Sequence, residues 1–240
     1  MFLSFCRNIA QFIGIEINKT SHFERLLSGM TACLALVSVY YLSSSFLSLP
    51  DSLLVVASIG ASAVLMFAIP HGALSQPWPF ITGHLVSALI GIGFYQLFGA
   101  SFVTGAAAVG VSIIGMHYLR CLHPPGGSTA LSCVIGGSSI HAMGFEFLLY
   151  PLLINLLAML VFAFIINNGF QWRRYPSFLS ASVRNESNEK HLFEVEDLYD
   201  VLEKEDVFID VSAEELMHIY NAARENAKDR HKSLVSKLPK

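Results

Sequence analysis

The chain has 240 residues, is 53% hydrophobic and only 14% charged, and carries a formal net charge of −3. Soluble domains usually carry about a quarter charged residues, so most of this chain is not an aqueous globular domain. No basic stripe suggests a nucleic-acid partner, and Cys6, Cys33, Cys121 and Cys133 lack the CxxC spacing of a zinc or redox site.

The charge is unevenly placed. From Leu26 to Trp172 the only acidic or basic residues are Asp51, Arg120 and Glu146, whereas ordinary soluble composition resumes at Arg173. The expected organisation is an N-terminal cytoplasmic or interfacial segment (1–25), a transmembrane domain (26–172) and a cytoplasmic helical tail (173–240). In the first segment Phe2, Phe5, Ile9, Phe12 and Ile13 form one helical face, suited to an interface.

The first span runs over 26–49 and ends at Pro50 and Asp51. A second apolar stretch, 52–69, closes at Pro70, His71 and Gly72. Spans at 80–99 and 101–119 follow, with a very short connection between them. Pro124 and Pro125 then open a short apolar piece, 126–136, and the last span is 147–166, anchored by Trp172, Arg173 and Arg174. The fold class expected is an all-α membrane protein with four full transmembrane helices and two short or broken ones. The short pieces, 59–69 and 126–136, share a Gly-small-Ser-small start, a faint internal repeat of span, broken segment, span.

Lysine and arginine placement predicts both termini in the cytoplasm: Arg7, Lys19 and Arg25 precede the first span, and Arg173 and Arg174 follow the last. The number of crossings is then even. It is six if the short pieces cross, with Arg120 inside, and four if they re-enter, with Arg120 outside. In the tail, Leu198, Val201 and Leu202 mark one short helix; Ser212 and Glu215 form a capping box opening a second, with Leu216, Ile219, Tyr220 and Ala223 on one face.

The chemistry concentrates in "LRCLHPPGGSTAL", residues 119–131. His123 and Pro124 cannot continue the preceding helix, and Pro125 suits the first turn of a new one. Gly126, Gly127, Ser128 and Thr129 would then expose backbone N–H groups at a helix start, where partial positive charge and close approach favour a small anion. Gly60, Ala61 and Ser62 offer a similar start in the first half. His71, His84, His117 and Arg120 are candidates for gating or proton coupling, because histidine titrates near neutral pH. Arg120 equally marks the membrane boundary by snorkelling. No catalytic motif, cofactor or metal site is expected.

These residues resemble the HPP family of integral membrane proteins. "LHPPGGSTAL" (122–131) looks like the family signature, and 57–91 is similar to its other strong block, through Gly60–Val64, Gln76-Pro77 and Gly83-His84. "FIDVSAEELMHIY" resembles the tail of bacterial members. The resemblance covers about 20–170 and implies four transmembrane helices and transport of nitrite, or a similar anion such as nitrate, past Gly60–Ser62 and His123–Thr129. It departs from many relatives at Gly127, where alanine is common, and at His71, where an acidic residue is common.

The expected partners are therefore the lipid bilayer, a small anion and a second copy of the chain, in a bacterial inner membrane. Small-xxx-small pairs, Ser87 with Gly91 and Ala106 with Gly110, favour close helix packing. Two other function classes stay open. A transition-metal transporter would use His71, His84, His117, His123 and Cys121. An intramembrane serine hydrolase would use Ser62 in "GASA" with His84 or His117 as base. A sensor reporting occupancy through the tail is permitted by the same layout.

Overall fold

A computed structural model describes residues 20–179, together with isolated positions 13, 211, 216, 217, 219–221 and 224. The proposed N-terminal interfacial helix and the two tail helices lie outside the continuous described segment. Within it the chain is helical: α1 (His22–Ser44), α2 (Leu49–Ala68), α3 (Pro77–Phe98), α4 (Phe102–Tyr118), α5 (Pro124–Ile135), α6 (Ser138–Met143) and α7 (Ile154–Asn168). Among the described residues there is no strand. Four stretches are long and apolar enough to cross a membrane: His22–Ser44, Leu49–Ala68, Pro77–Phe98 and Ser138–Asn168.

The helix starts follow from local chemistry. Ser21 caps α1, its hydroxyl accepting from the Glu24 N–H at 3.1 Å, and Ser101 caps α4 by accepting from Thr104 N–H at 3.0 Å. Proline sits in the first turn of α2, α3 and α5, where a missing N–H costs nothing. This corrects two boundaries. Pro50 launches α2 instead of merely ending α1, and Pro77 starts α3 ahead of residue 80. It also corrects the repeat: Gly60, Ala61 and Ser62 lie inside the unbroken helix α2, not at a helix start. Residues 52–69 thus belong to a full span, while the 101–119 stretch forms the shorter, 17-residue α4. Before α7 the chain passes through 3₁₀ and π turns, because Tyr150 precedes Pro151 and leaves helical geometry (φ −127°, ψ 112°).

Contacts sort the helix ends into two groups. At one end the buried Arg173 donates to the Phe67 carbonyl at the close of α2 (2.6 Å), to Asn167 of α7 (2.9 Å) and to Ser28 of α1 (3.2 Å), and pairs with Glu24. Gln76, before α3, accepts from Ser177 N–H at 2.9 Å, and Trp78 donates to Leu119 after α4 at 3.3 Å. At the other end the buried Asp51, in the first turn of α2, accepts from the N–H groups of Gly137 (2.6 Å) and Ser139 (3.2 Å) and from the Ser139 hydroxyl. There Tyr95 of α3 stacks on His141 of α6, centroids 3.6 Å apart.

Among the described residues the chain therefore passes between the two ends six times. The 12-residue α5 makes one of those passes. At 1.5 Å per residue it spans only about 18 Å, and the extended backbone at His123 (φ −143°, ψ 100°) supplies part of the remainder.

Burial pulls the Arg173 guanidinium below its ordinary value, while the Glu24 carboxylate beside it holds it up. Arginine stays charged under either influence. Asp51 serves the other end in the same manner, capping α6 from a distant segment. Asp51→Ala removes the shared acceptor of the Gly137, Ser139 and Ile140 N–H groups, of which Gly137 and Ser139 are at least partly open to solvent. We expect a stability loss of about 1–3 kcal/mol, read as a lowered midpoint of thermal unfolding in detergent, with Asp51→Asn intermediate.

Candidate functional site

Among the described residues the apolar helices enclose a cluster of imidazoles and hydroxyls, built from α2, α3 and the start of α5. Ser58 and Ser62 lie one turn apart on the same face of α2. Ser62 Oγ is 2.8 Å from His84 Nε2 and 2.8 Å from His123 Nε2. His84 Nδ1 is 2.6 Å from Thr129 Oγ1, which is 2.6 Å from Ser58 Oγ. At the opposite end, His123 Nδ1 is 2.8 Å from the Leu74 carbonyl. All five side chains are buried, and Ser62, His84 and His123 are 0% exposed. Phe80, one turn before His84, meets both imidazoles edge-on, with centroids 5.5 Å away in each case.

By helix rise Ser62 lies about 9 Å from the end of α2. The cluster is therefore set inside the bundle, nearer the Arg173 end. Polar groups at such depth persist only when hydrogen-bonded, and here every ring nitrogen and hydroxyl has a partner.

The backbone that holds the cluster is tight. A Cβ on Gly83 would stand 2.6 Å from the His123 Cβ, and one on Gly126 would stand 2.8 Å from Ser87 Oγ and 2.9 Å from the Gly83 carbonyl. Gly91 faces Ala130 in the same way, with 2.5 Å to its carbonyl. Thus Gly83, Ser87 and Gly91 of α3 form the surface that α5 rests on. The Ser87–Gly91 pair is used within one chain. The Ala106–Gly110 pair lies exposed on the outer face of α4.

The structure gathers His123, Thr129, Ser62 and His84 from the residues singled out in the sequence. Pro125 contributes its carbonyl, 3.3 Å from Ser58 Oγ, and Gly126 supplies the close approach. Pro124, Ser128 and Ala61 face outward, and Gly60 turns toward Leu36 of α1. His117 and Arg120 are exposed, and Arg120 has a positive φ of 51° after the end of α4. His71 sits at the Arg173 end, 2.9 Å from the Trp172 carbonyl. Ser58 and Phe80 were not singled out. Their spacing of four residues from Ser62 and His84 was the available signal.

One expectation needs correcting. The start of α5 is poor in free donors: Pro124 and Pro125 have no N–H, and Gly126 N–H is bonded to the His123 carbonyl at 2.8 Å. From Gly127 onward the N–H groups enter the helix's own ladder. The chemistry of the site resides in side chains, not in a bared helix terminus. Among the described residues no group of three or more His, Cys, Asp and Glu side chains converges as a metal site. A groove of about 360 Å³ between α1 and α2, lined by Glu24, Arg25, Ser28, Ala63 and Phe67 among others, includes no member of the cluster.

Glycines at 126 and 127 are set apart by these contacts. A Cβ on Gly127 would meet only Val109 Cγ1, at an ordinary 3.5 Å. Gly126→Ala is expected to lower stability by about 1–3 kcal/mol through overpacking, whereas Gly127→Ala leaves it within about 0.5 kcal/mol. Paired thermal-unfolding curves of the two variants check the contrast.

Three comparisons place the chain among known proteins. Two Dictyostelium discoideum proteins named only as transmembrane proteins are similar to it. One is 37% identical over 132 residues, covering 53% of this chain and 42% of the relative. The other is 36% identical over 156 residues, covering 63% and 53%. The chain thus spans about half the length of the curated relatives it matches. No solved structure matches it. The family model described as "HPP, transmembrane region" matches residues 17–176, which contain all six passes and the whole histidine–hydroxyl cluster, and the chain therefore belongs to the HPP family of integral membrane proteins.

Proposed function

We propose that this protein carries a small inorganic anion across the membrane, with nitrite the leading candidate and nitrate the next. The observation that supports it is the fully satisfied cluster of two imidazoles and three hydroxyls buried inside a largely apolar bundle. Buried ionisable groups in a membrane domain are costly and mark transport paths by default. Hydroxyls and imidazole N–H groups are neutral donors matched to a small, weakly hydrated anion. Gly60, Ala61 and the exposed Pro124 and Ser128 frame the path from outside the cluster. His71, His117 and Arg120, at or beyond the Arg173 end, have no direct part. No enzymatic step is proposed. Purified protein in liposomes should take up nitrite faster than protein-free vesicles, and His123→Ala or Gly126→Leu should abolish that difference. Uptake that persists in both variants would sink the site.

The orientation proposed puts the Arg173 end in the cytoplasm. Arg25, Arg120, Arg173 and Arg174, the basic residues of the 20–179 segment, all lie at that end, as the positive-inside rule requires. The membrane proposed is the bacterial inner membrane, on the resemblance of the tail to bacterial members. The exposed Ala106 and Gly110 of α4 are the proposed contact for a second copy. A fluorescent reporter fused at the C-terminus should light up in the cytoplasm; a periplasmic readout would invert the assignment.

A second reading is favoured by one geometry. Ser62 Oγ, His123 Nε2 and the Leu74 carbonyl form the order nucleophile, base and orienting group. Against it, His84 occupies the other side of the same hydroxyl, and the serine is wholly buried. A fluorophosphonate probe should leave Ser62 unlabelled; labelling would move the protein to the intramembrane hydrolases.

A further inference from the structure

The hydrogen-bond chain through the cluster has a determinate direction. Its terminus at Leu74 is a carbonyl, which only accepts, so His123 Nδ1 bears a hydrogen and donates across 2.8 Å. In a neutral ring Nε2 is then the acceptor, and it takes the hydrogen of the Ser62 hydroxyl. The Ser62 oxygen in turn accepts from His84 Nε2–H. This leaves His84 Nδ1 as the acceptor for the Thr129 hydroxyl, whose oxygen accepts from Ser58. One assignment satisfies the whole chain, with both imidazoles neutral and in opposite tautomers.

An added proton has one place to go. It binds His84 Nδ1, where the Thr129 hydroxyl turns away to the Pro125 carbonyl, 3.4 Å distant. His84 is now cationic. Its Nε2 proton can pass to Ser62 Oγ as the Ser62 hydrogen passes to His123 Nε2. Two hops of 2.8 Å move the charge between rings whose centroids are 5.0 Å apart. No atom is gained or lost, and the Ser62 hydroxyl is restored. Beyond His123 the path stops, because the Leu74 carbonyl has no hydrogen to hand on. The pair therefore stores a proton; it is not an open wire, and a proton held here crosses only together with whatever opens the cluster to the other side. Two cations at this separation, in a medium that screens poorly, repel too strongly to coexist.

The groups around the pair do not supply a competing charge. Facing it from α2 are Ser58 and Ser62; from α3, Phe80; from α5, Thr129 and the Pro125 carbonyl; and from the 73–75 turn, the Leu74 carbonyl. The titratable neighbours are Cys121, two residues before His123, Cys133, one turn beyond Thr129 on α5, and Tyr175, whose hydroxyl donates to the Ser75 carbonyl beside Leu74. The hydrogen bonds of both rings go to neutral groups: Ser62, Thr129 and the Leu74 carbonyl.

We propose that His84, Ser62 and His123 hold one shared proton that accompanies each anion, making transport an electroneutral one-to-one symport. This inference rests on the anion-transport reading, and the stored charge is what attracts the anion to the cluster. Two measurements separate the claims. Nitrite uptake into liposomes, with the protein-free rate subtracted, should rise roughly threefold or more under a one-unit gradient acid on the entry side. It should be unmoved by a potential imposed with potassium and valinomycin. Protein-dependent uptake that follows the potential and ignores the pH gradient overturns the symport while leaving anion transport intact; no protein-dependent uptake overturns both. The relay is also read without transport, by ¹⁵N resonance of the imidazoles. His84 should carry its hydrogen on Nε2 and His123 on Nδ1, and acidification should shift both rings together for the uptake of one proton. Matching tautomers, or two independent titrations, overturns it. In Ser62→Ala the rings should titrate apart; where that variant does not fold, the wild-type spectrum alone decides.

Discussion

One hydroxyl shared between two imidazoles organises this bundle. Ser62 Oγ accepts and donates at 2.8 Å on either side, and the two rings belong to different segments. In water such bonds are exchangeable and contribute little. In a membrane interior the alternative is an unsatisfied polar atom, which costs several kcal/mol on the order of a full desolvation penalty. The position of α2 against α3 and α5 is thereby fixed to within a hydrogen-bond length. The turn at 73–75 is fixed by the same logic, since its Leu74 carbonyl terminates the chain and Ser75 bonds back to Leu65 and Ile69.

Helix α2 is also held at each end by a single buried charge of opposite sign. Asp51 in its first turn gathers the start of α6, and Arg173 reaches the Phe67 carbonyl near its last turn. Both charges complement the partial charges of the helix termini they touch: a carboxylate at the N-terminus of α6 and a guanidinium at the C-terminus of α2. Each is also held by several hydrogen bonds, which is the condition for keeping a side-chain ion out of water. The middle of α2 carries the polar cluster and its ends carry the clamps, so this one span joins all three.

The class of fold was plain in the sequence because charge was nearly absent from 26–172, and bilayer thickness turns that absence into helices. Boundaries were harder. Pro50 read as a terminator, and Pro77 fell outside the span set to start at residue 80, when both are first-turn residues; the ambiguity is inherent in a residue that both stops one helix and starts another. The similarity of 59–69 to 126–136 came from small residues, which serve backbone contact in both places, and not from a shared break. His84, His123, Ser62 and Thr129 were visible as polar residues in apolar surroundings. Their convergence was not, because bonds such as Ser62 to His123 join residues 61 apart in the chain. Nothing local records that separation. Ser58 was lost among the many hydroxyls that bond to their own helix, as Thr31 does to Leu27.

The glycine contact between α3 and α5 has a mechanical consequence. With Gly83 against His123, Gly126 against Ser87, and Gly91 against Ala130, the two backbones interlock at three levels. Displacing one along the other by less than a full turn would drive a carbonyl or a Cβ into main chain, since packed surfaces of this kind have discrete seats rather than a continuous slope. The pair can travel as one rod or come apart, but it cannot shear. A displacement of α3 between Gly83 and Gly91 therefore carries α5 with it, and the softer seams of the bundle are those where side chains, not backbones, meet.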